Sequence, residues 1–334
     1  MGEYERERAA ALEAVREAAV LCRAVQSEIT PQVLEKKDRS PVTVADFGSQ
    51  ALICKRLQES FGADPVIGEE DSASLGEPEN ADLLKRLVDH VSRIVPGAGA
   101  DEARAWIDRG GHGEYAERFW TLDPIDGTKG FLRGEQYAIS LALVVDGEIV
   151  LGVLGCPNLP VDPEAPERIG AAFVAVKGEG AFQVPLDGEG DERRISVSAT
   201  ADPGMIRFCE SVEKAHSSHS DAARIAQRLN IKAEPVRLDS QAKYAQVARG
   251  AAEAYLRLPR DEVYREKIWD HAGGVAVVTE AGGRVTDITG APLDFTHGKT
   301  LAMNRGVIVT NGLVHDAILK AIDDLGIART IAAV

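Results

Sequence analysis

FWTLDPIDGTKGFLRG (residues 119–134) joins an apolar run to two aspartates, a glycine and a hydroxyl. Asp123 and Asp126 flank Pro124 and Ile125 at the end of what reads as a strand. The proline fixes one φ angle and helps hold the local shape. Gly127 permits close approach of backbone, and Thr128 stands where a helix would begin. Free N–H groups at such a start can receive a phosphate or a carboxylate. Aspartate pairs also occur in plain turns. Carboxylates on one side and anion-binding amides on the other describe a place where a metal bridges protein to phosphate.

Other acids fit that reading. Asp46 closes VTVAD (42–46), Glu69 and Glu70 close VIGEE (66–70), and Asp270 lies in IWDHAGG (268–274). Each also has a plain reading, as a helix cap or a solvated strand end. Together they place acids at the ends of four apolar elements. Hard oxygen ligands without a His/Cys set point to Mg²⁺ rather than Zn²⁺.

The remaining chain bounds what such a site can serve. Its 334 residues suffice for one large domain or two ordinary ones, and 44% are hydrophobic. The net charge of −15 argues against nucleic-acid polymers and membrane surfaces as partners. A small anionic substrate would need metal ions or local basic residues to receive it. Cys22, Cys54, Cys156 and Cys209 form no C-x-x-C pair and suit a reducing compartment. The acidic start MGEYERERAA is unlike a signal peptide, and no apolar run reaches membrane-spanning length. A cytoplasmic protein is expected.

Leu12, Val15, Ala19, Cys22 and Val25 recur at steps of three and four, which predicts a helix over 5–28. DRSPVTVAD (38–46) reads as a loop into a second helix, with Phe47, Ala51, Cys54, Leu57 and Phe61 on one face. Residues 80–95 read as helical and 97–118 as a surface insertion. YAISLALVVDGEIVLGVLG (137–155) predicts a hairpin around Asp146-Gly147, and 171–184 predicts another strand pair. Residues 156–170 and 185–193 read as polar loops, the second as a boundary between domains 1–190 and 191–334. Beyond it, strands alternate with helices near 218–229, 240–249 and 270–281, the pattern of a layered α/β half.

Three stretches late in the chain carry basic residues that could meet a substrate. His216 and His219 in EKAHSSHS (213–220) stand three apart, with no third metal ligand evident. LDSQAKY (238–244) offers Ser240 and Lys243, and YLRLP (255–259) offers Arg257 between two leucines. Surface charge is the ordinary fate of such residues. In an acidic protein, a pocket for a second phosphate requires cations of this kind.

GEE (68–70), WTLDPIDGTKGF (120–131) and WDHAGG followed by EAGG (269–274, 280–283) resemble the signature blocks of the inositol monophosphatase superfamily. The resemblance runs from about Asp38 to Gly283. Inositol monophosphatases proper carry Asn where Gly130 stands. The Lys129-Gly130-Phe131 form, with SPVTVAD, EKAHSSH and LDSQAKY, is more similar to the 3′(2′),5′-bisphosphate nucleotidase branch.

That resemblance implies an α/β fold of the αβαβα sandwich type. Its N-terminal part would be α+β, its C-terminal part α/β, and the active site would lie between them. It implies two to three Mg²⁺ ions. Glu69, Asp123 and the Ile125 carbonyl would hold one, and Asp123, Asp126 and Asp270 another. Asp46 and Thr128 would orient and activate water, with a third ion near Glu69. Gly127, Thr128, His216, Ser240, Lys243 and Arg257 would contact substrate. The implied reaction converts adenosine 3′,5′-bisphosphate to AMP and phosphate, is sensitive to Li⁺, and extends to 3′-phosphoadenosine 5′-phosphosulfate. An inositol phosphate phosphatase and a non-catalytic nucleotide sensor are the alternatives.

Overall fold

The computed structural model describes residues 2–29, 40–212, 219–259, 261 and 263–330. Two long helices come first, α1 (Glu5–Ser27) and α2 (Ser40–Phe61). The stripe on α1 is buried as its spacing requires, with Val15, Cys22 and Val25 inaccessible to solvent. α1 and α2 pack side by side over one face of a seven-stranded sheet.

That sheet follows chain order. β1 (Val66–Gly68) is followed by α3 (Ala81–Ile94) and α4 (Ala100–Asp108). β2 (Arg118–Asp126) pairs parallel with β1 and leads into α5 (Thr128–Leu132). β3 (Ala138–Val145), β4 (Glu148–Asp162), β5 (Ala165–Val176), β6 (Gly180–Pro185) and β7 (Arg193–Ile195) then add antiparallel. The β3–β4 turn has φ of 52° at Asp146 and 80° at Gly147, the left-handed pair that a tight hairpin requires.

The second sheet draws on β8 (Phe208–Glu210), β9 (Val236–Arg237), β10 (Ala254–Arg257), β11 (Arg284–Thr286) and β12 (Val307–Thr310). Its spatial order is β11-β12-β10-β8-β9. α6 (His219–Arg228), α7 (Ala242–Ala248), α8 (Ala272–Glu280), α9 (His315–Asp324) and α10 (Ile327–Thr330) accompany it.

Alternation along the strands sorts side chains into three cores. Ile139, Leu141 and Leu143 of β3 enter the core beneath α1 and α2. Ala138, Ala142 and Val144 point the other way, into a middle core with Tyr244 of α7 and Val277 of α8. Val307 and Val309 of β12 close that middle core, while Ile308 faces an outer one with Ile225 of α6 and Ile318 of α9. The layers are therefore helix, sheet, helix, sheet, helix, as the resemblance implies. The central strands β3, β4 and β12 are buried on both faces and read as continuous apolar runs.

Several sequence expectations need correction. Residues 97–118 are not a surface insertion: α4 buries Ala103 and Ile107. The Gly110 carbonyl accepts the Gly68 N–H at 2.8 Å, and His112 N–H donates to Val66 at 3.1 Å. Two buried residues among four charged ones gave too weak a period to read. Residues 156–170 are not a loop but the far end of the β4–β5 hairpin. Register shifts on either side of Pro160 accommodate a residue that would otherwise interrupt the ladder. β7 follows residue 190 yet pairs with β6, so membership of the first sheet extends to Ile195.

Candidate active site

Strand ends, helix starts and one tight loop converge on a cleft of about 320 Å³. β1 delivers Glu69, β2 delivers Asp123, Ile125 and Asp126, and α5 begins at Thr128 after Gly127. The turn before α7 brings Ser240 and Gln241, β10 ends on Arg257, and Asp270 precedes α8. Lys243 of α7 completes the set. Ten of the residues singled out from sequence thus line one cavity: Glu69, Asp123, Ile125, Asp126, Gly127, Thr128, Ser240, Lys243, Arg257 and Asp270.

Asp46 stands elsewhere than expected. It sits within α2 instead of capping it, is buried, and is not among the residues lining the cleft. Burial pushes its carboxyl up, with further push from Glu70 and Glu69, so it remains in electrostatic reach of the site. His216 lies outside the described residues.

The carboxylates are crowded. Burial, then the charges of Glu69, Asp126, Asp270 and Asp46, raises the Asp123 carboxyl well above the ordinary range. Asp270 is raised by burial, then by Asp126 and Glu69. Glu69 is pushed up to about 7, by burial first and by Glu70 and Asp126 next. Oδ1 of Asp123 is shut off from solvent and has no hydrogen-bond partner among the described residues. A buried, unpaired carboxylate oxygen among like charges is costly unless a cation meets it. The donor set is all oxygen, which fits Mg²⁺. Ligand atoms of Glu266, Asp270 and His271 also lie within 4.8 Å of one another. Glu266, however, is already engaged by Arg257 at 3.2 Å and His271 at 3.3 Å. Against the upward push of burial, those partners hold its carboxyl down at about 2. It is a partner for Arg257 and His271 on the protein itself.

Local backbone explains the glycines and the strained turn. Gly127 has φ of 90°, and a β-carbon there would stand 2.9 Å from that of Ser240. At Gly130 a β-carbon would stand 2.1 Å from the Gln136 carbonyl oxygen. Ser240 itself adopts φ of 72°, which costs a non-glycine residue of order 1–3 kcal/mol. That turn lets the N–H of Gln241 donate to Oδ2 of Asp126. The Gln241 side chain donates to the Trp269 carbonyl at 3.0 Å and accepts from Ser140 at 3.1 Å and from the Gly274 N–H at 3.3 Å. One glutamine therefore ties β3, Asp126 and the turn carrying Asp270 together. Gln241 stood within LDSQAKY, but nothing in its residue type distinguished it. Lys243 is buried with Nζ 5.0 Å from the centre of the Tyr255 ring.

A layered α/β chain whose crowded carboxylates share one cleft with Lys243 and Arg257 defines the class. The sequence profile of the inositol monophosphatase family matches residues 3–326, and the chain belongs to that family. It is 42% identical to the 3′(2′),5′-bisphosphate nucleotidase of Emericella nidulans, over 96% of this chain and 98% of that one. It is 44% identical to the enzyme of the same name from Oryza sativa, over 96% and 94%. Among solved structures, the fold is similar to inositol monophosphatase from Zymomonas mobilis, with TM-score 0.64, 20% identity and coverage of 97% and 100%. Inositol monophosphatase from Anabaena superposes with TM-score 0.63 at 20% identity, covering 97% of each chain. Among the described residues, no helix is long and apolar enough to cross a membrane.

Proposed function

We propose that this chain is a Mg²⁺-dependent 3′(2′),5′-bisphosphate nucleotidase. It hydrolyses the 3′-phosphate of adenosine 3′,5′-bisphosphate to give AMP and phosphate, and accepts the 5′-phosphosulfate analogue as a second substrate. The observation that carries the reading is the pairing, in one cavity, of an uncompensated carboxylate cluster with two cations, the buried Lys243 and the half-buried Arg257. The relatives' names support the substrate class.

Glu69, Asp123, Asp126, Asp270 and the Ile125 carbonyl would hold two to three Mg²⁺ ions. When bound, Mg²⁺ supplies charge for the phosphate oxygens and makes water a better nucleophile at neutral pH. The chain's own residues do the rest. Gly127 and Thr128 receive the phosphate to be cleaved. Thr128 and Asp46 orient the attacking water, and Asp46, whose buried carboxyl has a raised affinity for protons, accepts its proton. The water oxygen bonds to phosphorus as the bond to the 3′-oxygen breaks; that oxygen takes a proton from solvent to leave as a hydroxyl, and Asp46 returns its own proton to solvent. Ser240, Lys243 and Arg257 hold the phosphate that is not cleaved, and His216 contacts the nucleotide. In this reading the chain divides after the first sheet, just past Ile195, into two halves, with the site between them. The four buried free thiols suit a reducing, cytoplasmic setting.

Phosphate release from adenosine 3′,5′-bisphosphate, its phosphosulfate analogue, 3′-AMP and inositol 1-phosphate, each with Mg²⁺ and with EDTA, tests the reading. Preference for an inositol phosphate, or binding of bisphosphate without turnover, would replace it by one of the alternatives.

A further inference from the structure

Glu266 is buried beside the cleft without lining it. Its carboxylate accepts from Nε of Arg257, at 3.3 Å to Oε1 and 3.2 Å to Oε2. Oε2 also lies 3.3 Å from Nε2 of His271, and Nδ1 of His271 lies 2.7 Å from the Tyr244 hydroxyl. One tautomer satisfies every contact: Nε2–H donates to Glu266, and the Tyr244 hydroxyl donates to Nδ1. The far end of this chain is fixed by packing. A β-carbon at Gly274 would stand 2.3 Å from the Tyr244 ring, so α8 sits directly on it.

A guanidinium is a rigid plane carrying five donors. Holding it at Nε fixes the plane and hence the direction of the two terminal amino groups. Arg257 lines the cleft while its anchor does not. Glu266 also offsets one of two cations, Arg257 and Lys243, that would otherwise repel each other across the same cavity.

We propose that Glu266 is a positioning residue for substrate recognition. It sets the plane of Arg257 toward the anionic group that is not cleaved, and it ties that plane through His271 to the turn carrying Asp270. The inference rests on the nucleotidase reading.

A double-mutant cycle on the full chain tests it. Wild type, Glu266→Gln, Arg257→Ala and the double variant are assayed on adenosine 3′,5′-bisphosphate and on 3′-AMP across a Mg²⁺ titration. Glu266→Gln should raise KM for the bisphosphate about tenfold, the size of one misplaced charge-assisted contact, with a much smaller effect on 3′-AMP. On the Arg257→Ala background the same change should add less than about twofold, because a residue that acts through another has nothing left to act on. The Mg²⁺ concentration for half activity should not move. Equal losses on both substrates, or additive losses in the cycle, would make Glu266 a general support of the fold and overturn the proposal. A raised Mg²⁺ requirement would make it a metal ligand and also overturn it. If melting curves show Glu266→Gln unfolded, Glu266→Asp replaces it in the cycle and should give the same substrate-selective loss. A wild type inactive on the bisphosphate would sink the nucleotidase reading and this inference with it. An active wild type with an unselective Glu266 variant would sink this inference alone.

Discussion

The side-chain amide of Gln50 brackets the backbone of Glu70: Nε2 donates to the Glu70 carbonyl at 2.6 Å, and Oε1 accepts the Glu70 N–H at 3.1 Å. Nε2 donates in addition to the Ile107 carbonyl at 2.9 Å. The amide is held between two glycines, since a β-carbon would stand 2.6 Å from it at Gly68 and 2.5 Å from it at Gly110. Glu69 lies between Gly68 and the bracketed Glu70, so α2 fixes the strand end that offers this carboxylate. Gln50→Leu should raise the Mg²⁺ concentration for half activity by about 10- to 100-fold, the scale for losing a group that orients a ligand. Gly68→Ala and Gly110→Ala should do the same by displacing the amide. Magnesium titrations of activity check this, and an unchanged titration in all three variants would remove Gln50 from the metal site.

The metal-free protein should be least stable where its carboxylates are forced to ionise. Glu69 binds its proton more tightly when folded, at about 7 against 4.5 for the free group. Its contribution is therefore present below pH 4.5 and lost as pH rises through about 7. Asp123 and Asp270 shift the same way. In EDTA, Tm should fall across that window. Added Mg²⁺ should raise Tm most at its upper end, because it binds the folded, ionised site. Activity should vanish in EDTA and be suppressed by Li⁺, which takes a magnesium position without supplying its charge. A Tm indifferent to Mg²⁺ above pH 7 would contradict the assignment.

The proposed ligands are legible because each sits where a local pattern ends. Asp123, Asp126 and Thr128 follow an apolar run and a glycine, and short-range rules place a strand end and a helix start there. The layered second half followed from strands alternating with helices, and the full sandwich from the family resemblance. What stayed hidden is held by long-range geometry. Gln50 and Glu70 are twenty residues apart, and Arg133 and Asp239 form an ion pair across 106. Neither pair has a spacing that sequence can mark. α4 escaped notice because its two buried residues, Ala103 and Ile107, are outnumbered by charged neighbours. The role of Gln241 depends on the left-handed turn at Ser240, which a serine does not announce.

Asp46→Asn and Thr128→Ala should each lower kcat by at least about 10²-fold, the usual scale for losing a positioned proton acceptor. Asp46 does not line the cleft, and Thr128 does. KM should change little for either variant, because the main metal ligands remain. Asp46→Asn also removes a buried negative charge beside Glu69 and Glu70, so the metal-free variant should melt at a higher temperature than the wild type. Near-normal kcat in either variant would move the role to another residue.

Lys243 should confer a pH-dependent preference for substrates with a second anion. Burial pulls its ammonium down to about 8, with Asp126 acting in the opposite direction. Below that pH the side chain is charged and can hold a phosphate; above it the charge is lost. KM for adenosine 3′,5′-bisphosphate should therefore rise as pH passes about 8, while KM for 3′-AMP, which lacks the 5′-phosphate, should change much less. Lys243→Arg keeps the charge at all these pH values and should flatten the rise. Lys243→Ala should cost the bisphosphate roughly 1.5–3 kcal/mol, or about 10- to 150-fold in kcat/KM. Arg257→Ala should cost at least as much, because it also leaves Glu266 buried with His271 as its one remaining side-chain partner among the described residues. Initial rates on both substrates between about pH 6.5 and 9 decide the matter. Parallel pH profiles and equal losses on the two substrates would place Lys243 and Arg257 among the supports of the fold, and the uncleaved phosphate would have to be held elsewhere.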